Sequence, residues 1–335
     1  MEGVATAGFI VAGTHPLQPE RAPGSDALVH ALLLCAGLGT RLRPLTDERP
    51  KPLVPVLGRP LADFALAQLA DAGVRHVVAN AFHLGEQIEP ALAPHAAGRG
   101  QGLTVLREAT LLGTGGAIRN ALPHLGDTFF VFNGDVLARP DLRGALALHR
   151  ATGAAMTLVL RDDPRAAALG AIDVDASGRV RRILGEGPPA PEAVRACVFT
   201  GIYVVSASVA DDLPVEGCVV RHTLRRLLAR GVTVAGFVDD GPWFDLGTVD
   251  RYVEANFALV TGSLRWPGVA VPAGGVLAPE DARSSRLLAP VVIGDGAVLA
   301  PGVRIERAVV WDGARCDADL EGAVLTSAGR RANVS

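Results

Sequence analysis

Short apolar runs alternate with amphipathic stretches along the chain from residue 28 to residue 150. This alternation predicts β-α-β units, in which helices cover a mostly parallel sheet. The predicted strands are residues 31–34, 74–79, 103–106 and 129–132, and the predicted helices are residues 61–72, 84–92, 115–122 and 142–150.

The pattern becomes richer in strands after residue 150, which indicates an antiparallel extension of the same sheet. We therefore expect residues 28–262 to form one α/β domain with a Rossmann-like, mixed and mostly parallel sheet. The additional strands are predicted at residues 155–160, 170–174, 180–184, 198–205 and 232–238, and the additional helices at residues 219–229 and 249–261.

A different periodicity follows a Pro- and Gly-rich linker at residues 263–288. Val292 and Val298 begin two consecutive hexads, VIGDGA and VLAPGV. A branched apolar residue at every sixth position is typical of parallel β-helices. We expect about two coils over residues 289–328, too few to be stable alone, so they should pack on the main domain or on another subunit. A chance repeat in an irregular tail is the alternative.

Composition narrows the functional classes. The chain has 335 residues, 49% of them hydrophobic and 20% charged, as in well-buried globular proteins. The net charge of -3 argues against a nucleic-acid partner. No run of eighteen apolar residues suggests a membrane span, and the four widely spaced cysteines suggest a cytoplasmic protein. Residues 1–27 include a proline-rich stretch and are expected to be a flexible extension.

Lys51 is the only lysine among 32 basic residues, and it lies in a run rich in glycine and proline. From residue 36 to residue 52 the chain reads AGLGTRLRPLTDERPKP. Backbone amides in a glycine-rich turn after a buried strand can hold phosphate oxygens, and Arg41, Arg43 and Lys51 supply positive charge. The run is neither a dinucleotide fingerprint nor a Walker A loop.

Two aspartates stand at the ends of apolar segments. Asp135 follows the strand pattern FFVFNG, and Asp245 lies in WFDLGT. Ligands of open α/β sheets bind beyond the carboxyl ends of strands, and two carboxylates suit Mg²⁺. Each aspartate alone could also be an ordinary turn or cap residue. A second glycine-rich turn, LGTGG from residue 112, follows Glu108 and could approach a base edge or be a simple strand-to-helix turn.

Together these motifs resemble the sugar-1-phosphate nucleotidylyltransferases, including enzymes similar to mannose-1-phosphate guanylyltransferase. The matching segments are AGLGTRLRPLT, PKP at residue 50, LGTGG, NGD at residue 133, FTGI at residue 199 and WFDLGT. The resemblance covers residues 28–262. It also implies that the C-terminal hexads form a short left-handed β-helix, through which a homo-oligomer could assemble.

The resemblance implies an enzyme that condenses an NTP with a sugar 1-phosphate to give an NDP-sugar and pyrophosphate. Guanylyl transfer to mannose 1-phosphate is the leading expectation, and uridylyl or thymidylyl transfer to a hexose 1-phosphate is the alternative. A sensor of NDP-sugars without turnover and a transferase acting on another phosphorylated alcohol are two further alternatives. The implied catalytic residues are Arg41 and Lys51, the metal ligands for Mg²⁺ are Asp135 and Asp245, the nucleotide contacts are Ala36, Gly37, Gly39, Thr40, Glu108, Gly113 and Gly116, and the sugar contacts are Gly170, Glu186 and Thr200.

One departure from the family pattern concerns the sugar site. Many members have Glu-Lys-Pro there, with the lysine on the sugar phosphate, whereas this chain has Gly187 in the lysine position. No second lysine exists to replace it. We expect that an arginine supplies the charge, with Arg181, Arg182 and Arg195 as candidates, or that sugar-phosphate affinity or catalysis is impaired.

Overall fold

The fold is that of a computed structural model, in which residues 30–187, 194–280, 282 and 285–334 are described. The expected extension at residues 1–27 lies outside these residues. The strands are β1 (His30–Leu34), β2 (Pro55–Val56), β3 (Arg59–Pro60), β4 (His76–Ala81), β5 (Gly102–Arg107), β6 (Thr128–Asn133), β7 (Val136–Ala138), β8 (Met156–Arg161), β9 (Ile172–Val174), β10 (Val180–Ile183), β11 (Arg195–Ser206), β12 (Val234–Val238), β13 (Trp243–Asp245), β14 (Val276–Leu277), β15 (Arg286–Ile293), β16 (Val298–Leu299), β17 (Arg304–Val310), β18 (Arg315–Cys316), β19 (Leu320–Glu321), β20 (Ala323–Leu325) and β21 (Arg331–Asn333).

Seven α-helices accompany these strands in the described part of the chain. They are α1 (Leu61–Asp71), α2 (Ile88–Ala97), α3 (Gly113–Ala121), α4 (Leu142–Thr152), α5 (Ala166–Leu169), α6 (Arg225–Ala229) and α7 (Val249–Val260). None of the described helices is both long and apolar enough to cross a bilayer.

The chain divides into two compact units. The first unit contains Leu112–Val131 and Pro140–Gly241, and the second contains Leu32–Leu111, Phe132–Arg139 and Pro242–Ser335. Each unit draws on segments that are distant in sequence. The domain boundaries expected at residues 262 and 289 remain a prediction.

The first unit carries the mixed part of the sheet. Its strands lie in the order β10-β9-β11-β6, and β8 pairs with both β11 and β12. The pairs of β11 with β8 and β9 are antiparallel, and β12 runs parallel to β8. The predicted antiparallel extension is therefore present. Helix α4 shows how local sequence sets the boundaries, since the Asp141 side chain accepts a hydrogen bond from Gly144 N and Gly153 ends the helix with φ 57°.

The second unit contains β1, β4 and β5 side by side, with β4 and β5 parallel. Helix α1 packs against β7, and β7 pairs antiparallel with β13. Neither β7 nor β13 was among the predicted strands, because each has only three residues. An α-helix predicted to start at residue 84 begins at Ile88, since Leu84 has φ 49° and a 3₁₀ turn follows it.

The C-terminal segment, residues 276–334, is mostly a stack of parallel strands, and we call it the coil segment. Strands β14, β15, β17 and β20 lie side by side in parallel, and β21 closes the stack antiparallel to β20. Arg286 pairs with Arg304, eighteen positions later, and Ile305 pairs with Leu320, fifteen positions later. Parallel stacking thus begins before the expected range of 289–328, at β14, and ends within it, at β20, while the antiparallel β21 lies beyond it.

Two apolar clusters hold the second unit together. One lies inside the coil segment around Ile293, Ile305 and Val310. The other joins one face of the coil segment to the rest of the unit. Its members include Leu42, Leu45, Val54, Phe64, Tyr252, Trp266, Val292, Val309, Trp311 and Val324. The coil segment is therefore packed on the unit that contains the glycine-rich turn.

His149 gives a prediction for the first unit. Its ring is 3% exposed, with Nδ1 3.0 Å from Thr157 Oγ1 and Nε2 2.9 Å from Ser206 Oγ. Burial, with a smaller effect from Arg150, lowers the pKa of this histidine to about 4. Between the unfolded pKa near 6.5 and about 4 only the unfolded chain takes up the proton, so folding stability falls as the pH falls through that window.

We expect His149→Gln to remove part of this pH dependence. In denaturant unfolding at a series of pH values, wild type should lose on the order of 2 kcal/mol more than the variant between pH 7 and pH 4.5. His124→Gln, at an exposed histidine, is the control and should follow wild type. Parallel pH profiles for wild type and His149→Gln would contradict the assignment.

Candidate active site

The glycine-rich turn after β1 is built around Gly39. This residue has φ 61°, and a Cβ there would lie 2.8 Å from Thr46 Cγ2 and 3.3 Å from Lys51 Cβ. The Thr46 hydroxyl donates to the Gly39 carbonyl at 2.8 Å. Only glycine fits this combination of backbone angle and close approach. Ala36 is buried, whereas Gly37 and Thr40 are exposed, so the turn presents its backbone at the surface of the unit.

Lys51 lies between Pro50 and Pro52 and is 5% exposed. Its ammonium group donates to Asp135 Oδ2 at 2.9 Å and lies 3.7 Å from Asp245 Oδ1. Both predicted metal-ligand carboxylates therefore converge on the single lysine. All three residues belong to the second unit.

The pairing of β7 with β13 brings the two carboxylates together. Asp245 pairs with Val136, the residue after Asp135. Gly134 directly precedes Asp135, and its amide donates to Leu34 O at 2.9 Å. A Cβ at Gly134 would lie 2.9 Å from that oxygen and 3.0 Å from Cys35 Sγ. The predicted motif Asn-Gly-Asp thus requires glycine so that Asp135 can leave the strand beside β1.

Arg41 reaches the same region through the segment after Asp245. A Cβ at Gly247 would lie 3.1–3.2 Å from the guanidinium atoms of Arg41, so the guanidinium rests against the Gly247 backbone. Arg41 itself is exposed. Two cations and two carboxylates therefore meet where the glycine-rich turn lies close to β13.

The two carboxylates are suited to a hard divalent cation that takes most of its other ligands from the substrate of the enzyme and from water. Asp135 and Asp245 offer carboxylate oxygens, and their side chains are 40% and 47% exposed. Among the described residues, no group of three or more His, Cys, Asp or Glu side chains forms a metal cage. Mg²⁺ needs no such cage, because it binds one or two carboxylates together with phosphate oxygens and water.

Glu108 is linked to Cys35, the residue after β1, through Asn80, which was not among the predicted site residues. Asn80 Nδ2 donates to Glu108 Oε1 at 2.7 Å, and Asn80 Oδ1 accepts from the Cys35 amide at 2.8 Å. An asparagine inside the apolar strand β4 was the available signal. Burial, with a smaller effect from Asp135, raises the pKa of the Cys35 thiol far above its usual range, so this thiol is not a nucleophile.

Gly113 and Gly116, predicted to face a base, lie on α3 in the first unit. Their Cβ positions are covered by the loop at residues 214–217. A Cβ at Gly113 would be 2.7 Å from Gly217 O, and one at Gly116 would be 2.4 Å from Val215 O. The absence of side chains here is explained by backbone packing. A contact between these glycines and a base remains a prediction.

The predicted sugar residues also lie in the first unit. Thr200 is buried and donates to Val159 O at 2.7 Å, and a Cβ at Gly170 would collide with Leu184. Glu186 is exposed, and Arg225 Nη2 donates to its Oε1 at 2.7 Å. Arg225, on α6, had not been singled out from the sequence, and its contact with Glu186 comes only from the fold.

Gly187, where many family members have lysine, has no room for a side chain. It has φ 153°, and a Cβ would lie 2.4 Å from Arg181 O. The three arginines considered as substitutes are each paired with an aspartate. Arg181 binds Asp175 at 2.5 Å, Arg182 binds Asp173 at 2.8 Å, and Arg195 binds Asp162.

Comparison with known proteins identifies the family of this chain. A model described as nucleotidyl transferase matches residues 30–262. The chain belongs to the nucleotidyl transferase family. Members generally use a divalent metal. A mannose-1-phosphate guanylyltransferase from Mycobacterium tuberculosis is 37% identical over 305 residues, covering 87% of this chain and 82% of the relative.

Other relatives of this chain are named for other substrates. An N-acetylmuramate alpha-1-phosphate uridylyltransferase from Neisseria meningitidis is 34% identical over 68% of this chain and 96% of its own length. A UTP–glucose-1-phosphate uridylyltransferase from Synechocystis is 28% identical over 82% of this chain and 76% of its own length. The predicted family and its nucleotidyltransferase activity are confirmed.

Solved structures confirm the α/β fold. The crystal structure of HddC from Yersinia pseudotuberculosis matches with a TM-score of 0.56 and 23% identity, covering 68% of this chain and 98% of HddC. At that identity the likeness concerns the fold alone.

Gly134→Ala tests the geometry of the site. The added methyl group would meet Leu34 O and Cys35 Sγ, so we expect Asp135 to shift, with a loss of about 1–3 kcal/mol in unfolding free energy and a lower metal affinity. Chemical denaturation and isothermal titration with Mg²⁺ and an NTP measure the two effects. Gly126→Ala is the control, since its nearest neighbour would be His30 Nδ1 at 4.0 Å. Wild-type values for Gly134→Ala would contradict this account.

Proposed function

We propose that this nucleotidyltransferase condenses GTP with mannose 1-phosphate, or with a closely related sugar 1-phosphate, to give a GDP-sugar and pyrophosphate. The observation that carries the proposal is the convergence of Asp135 and Asp245 on Lys51 beside the glycine-rich turn. A buried ammonium group, beside two carboxylates that could hold a divalent cation, is suited to bringing together two phosphate groups that repel each other.

Mg²⁺ is the proposed metal, and Asp135 and Asp245 are its proposed ligands. When bound, Mg²⁺ would neutralise phosphate charge and orient the triphosphate. The two aspartates fit this role because their carboxylates are hard oxygen donors, remain partly exposed and point to one place. The Lys51 ammonium group, which contacts both carboxylates, would bind phosphate oxygens beside them.

The glycine-rich turn and its cations would hold the reacting groups. Backbone amides near Gly37, Gly39 and Thr40 would bind triphosphate oxygens, and Arg41 would stabilise negative charge on the leaving pyrophosphate. An oxygen of the sugar phosphate attacks the α-phosphorus, and the bond from that phosphorus to the oxygen bridging the α- and β-phosphates breaks. No covalent bond to the protein is needed.

The sugar contacts are proposed at Gly170, Glu186 and Thr200. Glu186 is the best candidate of the three for a sugar contact, because its carboxylate is exposed and Arg225 binds one of its two oxygens. Thr200 is less suited as a hydroxyl donor, because its hydroxyl already donates to Val159 O. Arg225 is the proposed source of positive charge next to Gly187, because the carboxylate it pairs with belongs to the preceding residue, Glu186. Arg181, Arg182 and Arg195 pair instead with aspartates of other segments.

The coil segment is proposed to be a short left-handed β-helix. Support comes from its parallel pairing and from the eighteen-residue register between Arg286 and Arg304, which equals three hexads. The left-handed sense is inferred from the resemblance of the hexads to those of other family members.

Support for the guanylyl assignment comes from the Mycobacterium tuberculosis relative, which covers most of the chain. Uridylyl transfer is the second candidate, and the Neisseria meningitidis and Synechocystis relatives favour it. Pyrophosphate release over a matrix of GTP, UTP, dTTP and ATP against common sugar 1-phosphates, with Mg²⁺, separates the two. We expect the highest kcat/KM for GTP with mannose 1-phosphate. A higher value for UTP would replace that assignment, and tight NDP-sugar binding without any release would indicate a sensor.

Lys51→Arg tests the ammonium group directly. Arginine keeps the charge but brings a planar fork into a buried site between two carboxylates. We expect kcat to fall at least about tenfold, or roughly 1.4 kcal/mol of transition-state stabilisation. Arg251→Lys, at an exposed ion pair on α7, is the matched control and should keep full activity. Full activity in Lys51→Arg would show that any cation suffices at this position.

A further inference from the structure

The loop that carries Arg41 and Lys51 has little regular structure of its own. Between Gly39 and Val54 it contains three single 3₁₀ turns, Thr40–Leu42, Leu45–Asp47 and Lys51–Leu53. Turns of this length are not stable alone. The position of both cations therefore depends on what packs against residues 41–51, which we call the cation loop.

The coil segment binds the cation loop along its outer side. Arg49 Nη2 donates to Asp312 Oδ2 at 2.8 Å and to Ser327 Oγ at 3.0 Å, and its guanidinium carbon lies 5.1 Å from the centre of the Trp311 ring. The Ala328 amide donates to Glu48 Oε1 at 3.1 Å. Two parts of the coil segment, residues 311–312 and 327–328, thus hold two neighbouring residues of the loop.

A buried chain of hydrogen bonds also links the coil segment to the residues that follow the cation loop. Trp311 Nε1 donates to the Tyr252 hydroxyl at 3.0 Å, and that hydroxyl donates to Pro55 O at 2.5 Å. Trp311 and Tyr252 are both at most 1% exposed. Trp311 therefore touches the loop on one side through Arg49 and supports the chain just after it through Tyr252.

Arg49 is coupled to Lys51 by proline. The chain reads Arg-Pro-Lys-Pro from residue 49, and Pro50 and Pro52 fix φ on both sides of Lys51. Proline also restricts the residue before it, so Arg49 and Lys51 have little conformational freedom. A displacement of Arg49 is consequently passed to Lys51 instead of being absorbed between them.

We propose that Asp312 and Trp311 of the coil segment act, through Arg49, as positioning residues that hold the Lys51 ammonium group between Asp135 and Asp245. The coil segment then contributes to the reaction without touching the substrates. Its catalytic effect rests on the proposed function, whereas the positioning of Lys51 does not.

The energetics separate positioning from general stability. The Arg49 and Asp312 side chains are half-buried, 26% and 46% exposed, and ion pairs that water still reaches add little to unfolding free energy. Small misplacements of a catalytic group, in contrast, can reduce rates by a large factor. A variant that breaks the pair should therefore lower activity with almost no change in thermal stability.

Asp312→Asn is the first test, on the full-length chain. We expect kcat to fall at least about fivefold, with KM for both substrates within about twofold of wild type. The melting temperature should change by less than about 2 °C. Asp317→Asn is the control, because it makes the same change in a carboxylate whose ion pair, with Arg315 at 2.9 Å, is more exposed and lies within the coil segment.

The single lysine provides a readout that needs no activity. Modification of Lys51 by an amine-acylating reagent can be followed by peptide mass spectrometry, with no other lysine in the chain to interfere. We expect the rate to rise at least about threefold in Asp312→Asn, because the ammonium group is released from its buried position, and to stay unchanged in Asp317→Asn.

Charge exchange and a conservative variant complete the design. Asp312→Glu, and the double variant Arg49→Asp with Asp312→Arg, should recover part of the activity and of the slow labelling. Unchanged kcat and labelling in Asp312→Asn would overturn the proposal, as would a loss of kcat matched by a proportionate loss of unfolding free energy. If wild type released no pyrophosphate from any substrate pair, the proposed function would fail while the labelling rates still tested the positioning of Lys51.

Discussion

The contact of one ammonium group with two carboxylates organises the second unit. Lys51 can reach Asp135 and Asp245 only because β7 and β13 pair and bring two distant parts of the chain together. The glycines at positions 39, 134 and 247 each leave space for a neighbour of that contact. Positive and negative charge are thereby held at short distance in a place that remains partly open to solvent.

Sequence periodicity predicted most of the fold because the principal strands and helices are long and strongly patterned. Strands β1, β4, β5 and β6 and helices α1, α4 and α7 lie within two residues of their predicted boundaries at each end. The pairing of β7 with β13 could not be predicted, since three-residue strands carry no periodic signal. The early start predicted for α2 has a similar cause, because an apolar residue at position 84 in a left-handed conformation looks like the start of a helix.

The charged residues were predictable as a set, but their environments were not. The sequence predicted Lys51, Asp135 and Asp245 through motif chemistry, and their distances are a product of the fold. Asn80 and Arg225 were missed because neither belongs to a local motif. Gly187 shows the converse. In the sequence it stands out only because it lacks the charge of the family lysine, whereas in the fold the close approach of the Arg181 carbonyl requires glycine. Restoring lysine there would require the backbone to move first.

The cation loop and the coil segment lie at opposite ends of the sequence. Arg49 and Asp312 are 263 positions apart, and Arg49 and Ser327 are 278 apart. Contacts of such long range form late, because closing a long loop is entropically costly and slow. During synthesis the glycine-rich turn leaves the ribosome long before its support exists. An unfinished chain therefore has a glycine-rich turn that lacks the contacts of the coil segment, and on the proposed positioning of Lys51 it would gain the ability to act on nucleotides only as the last coil closes.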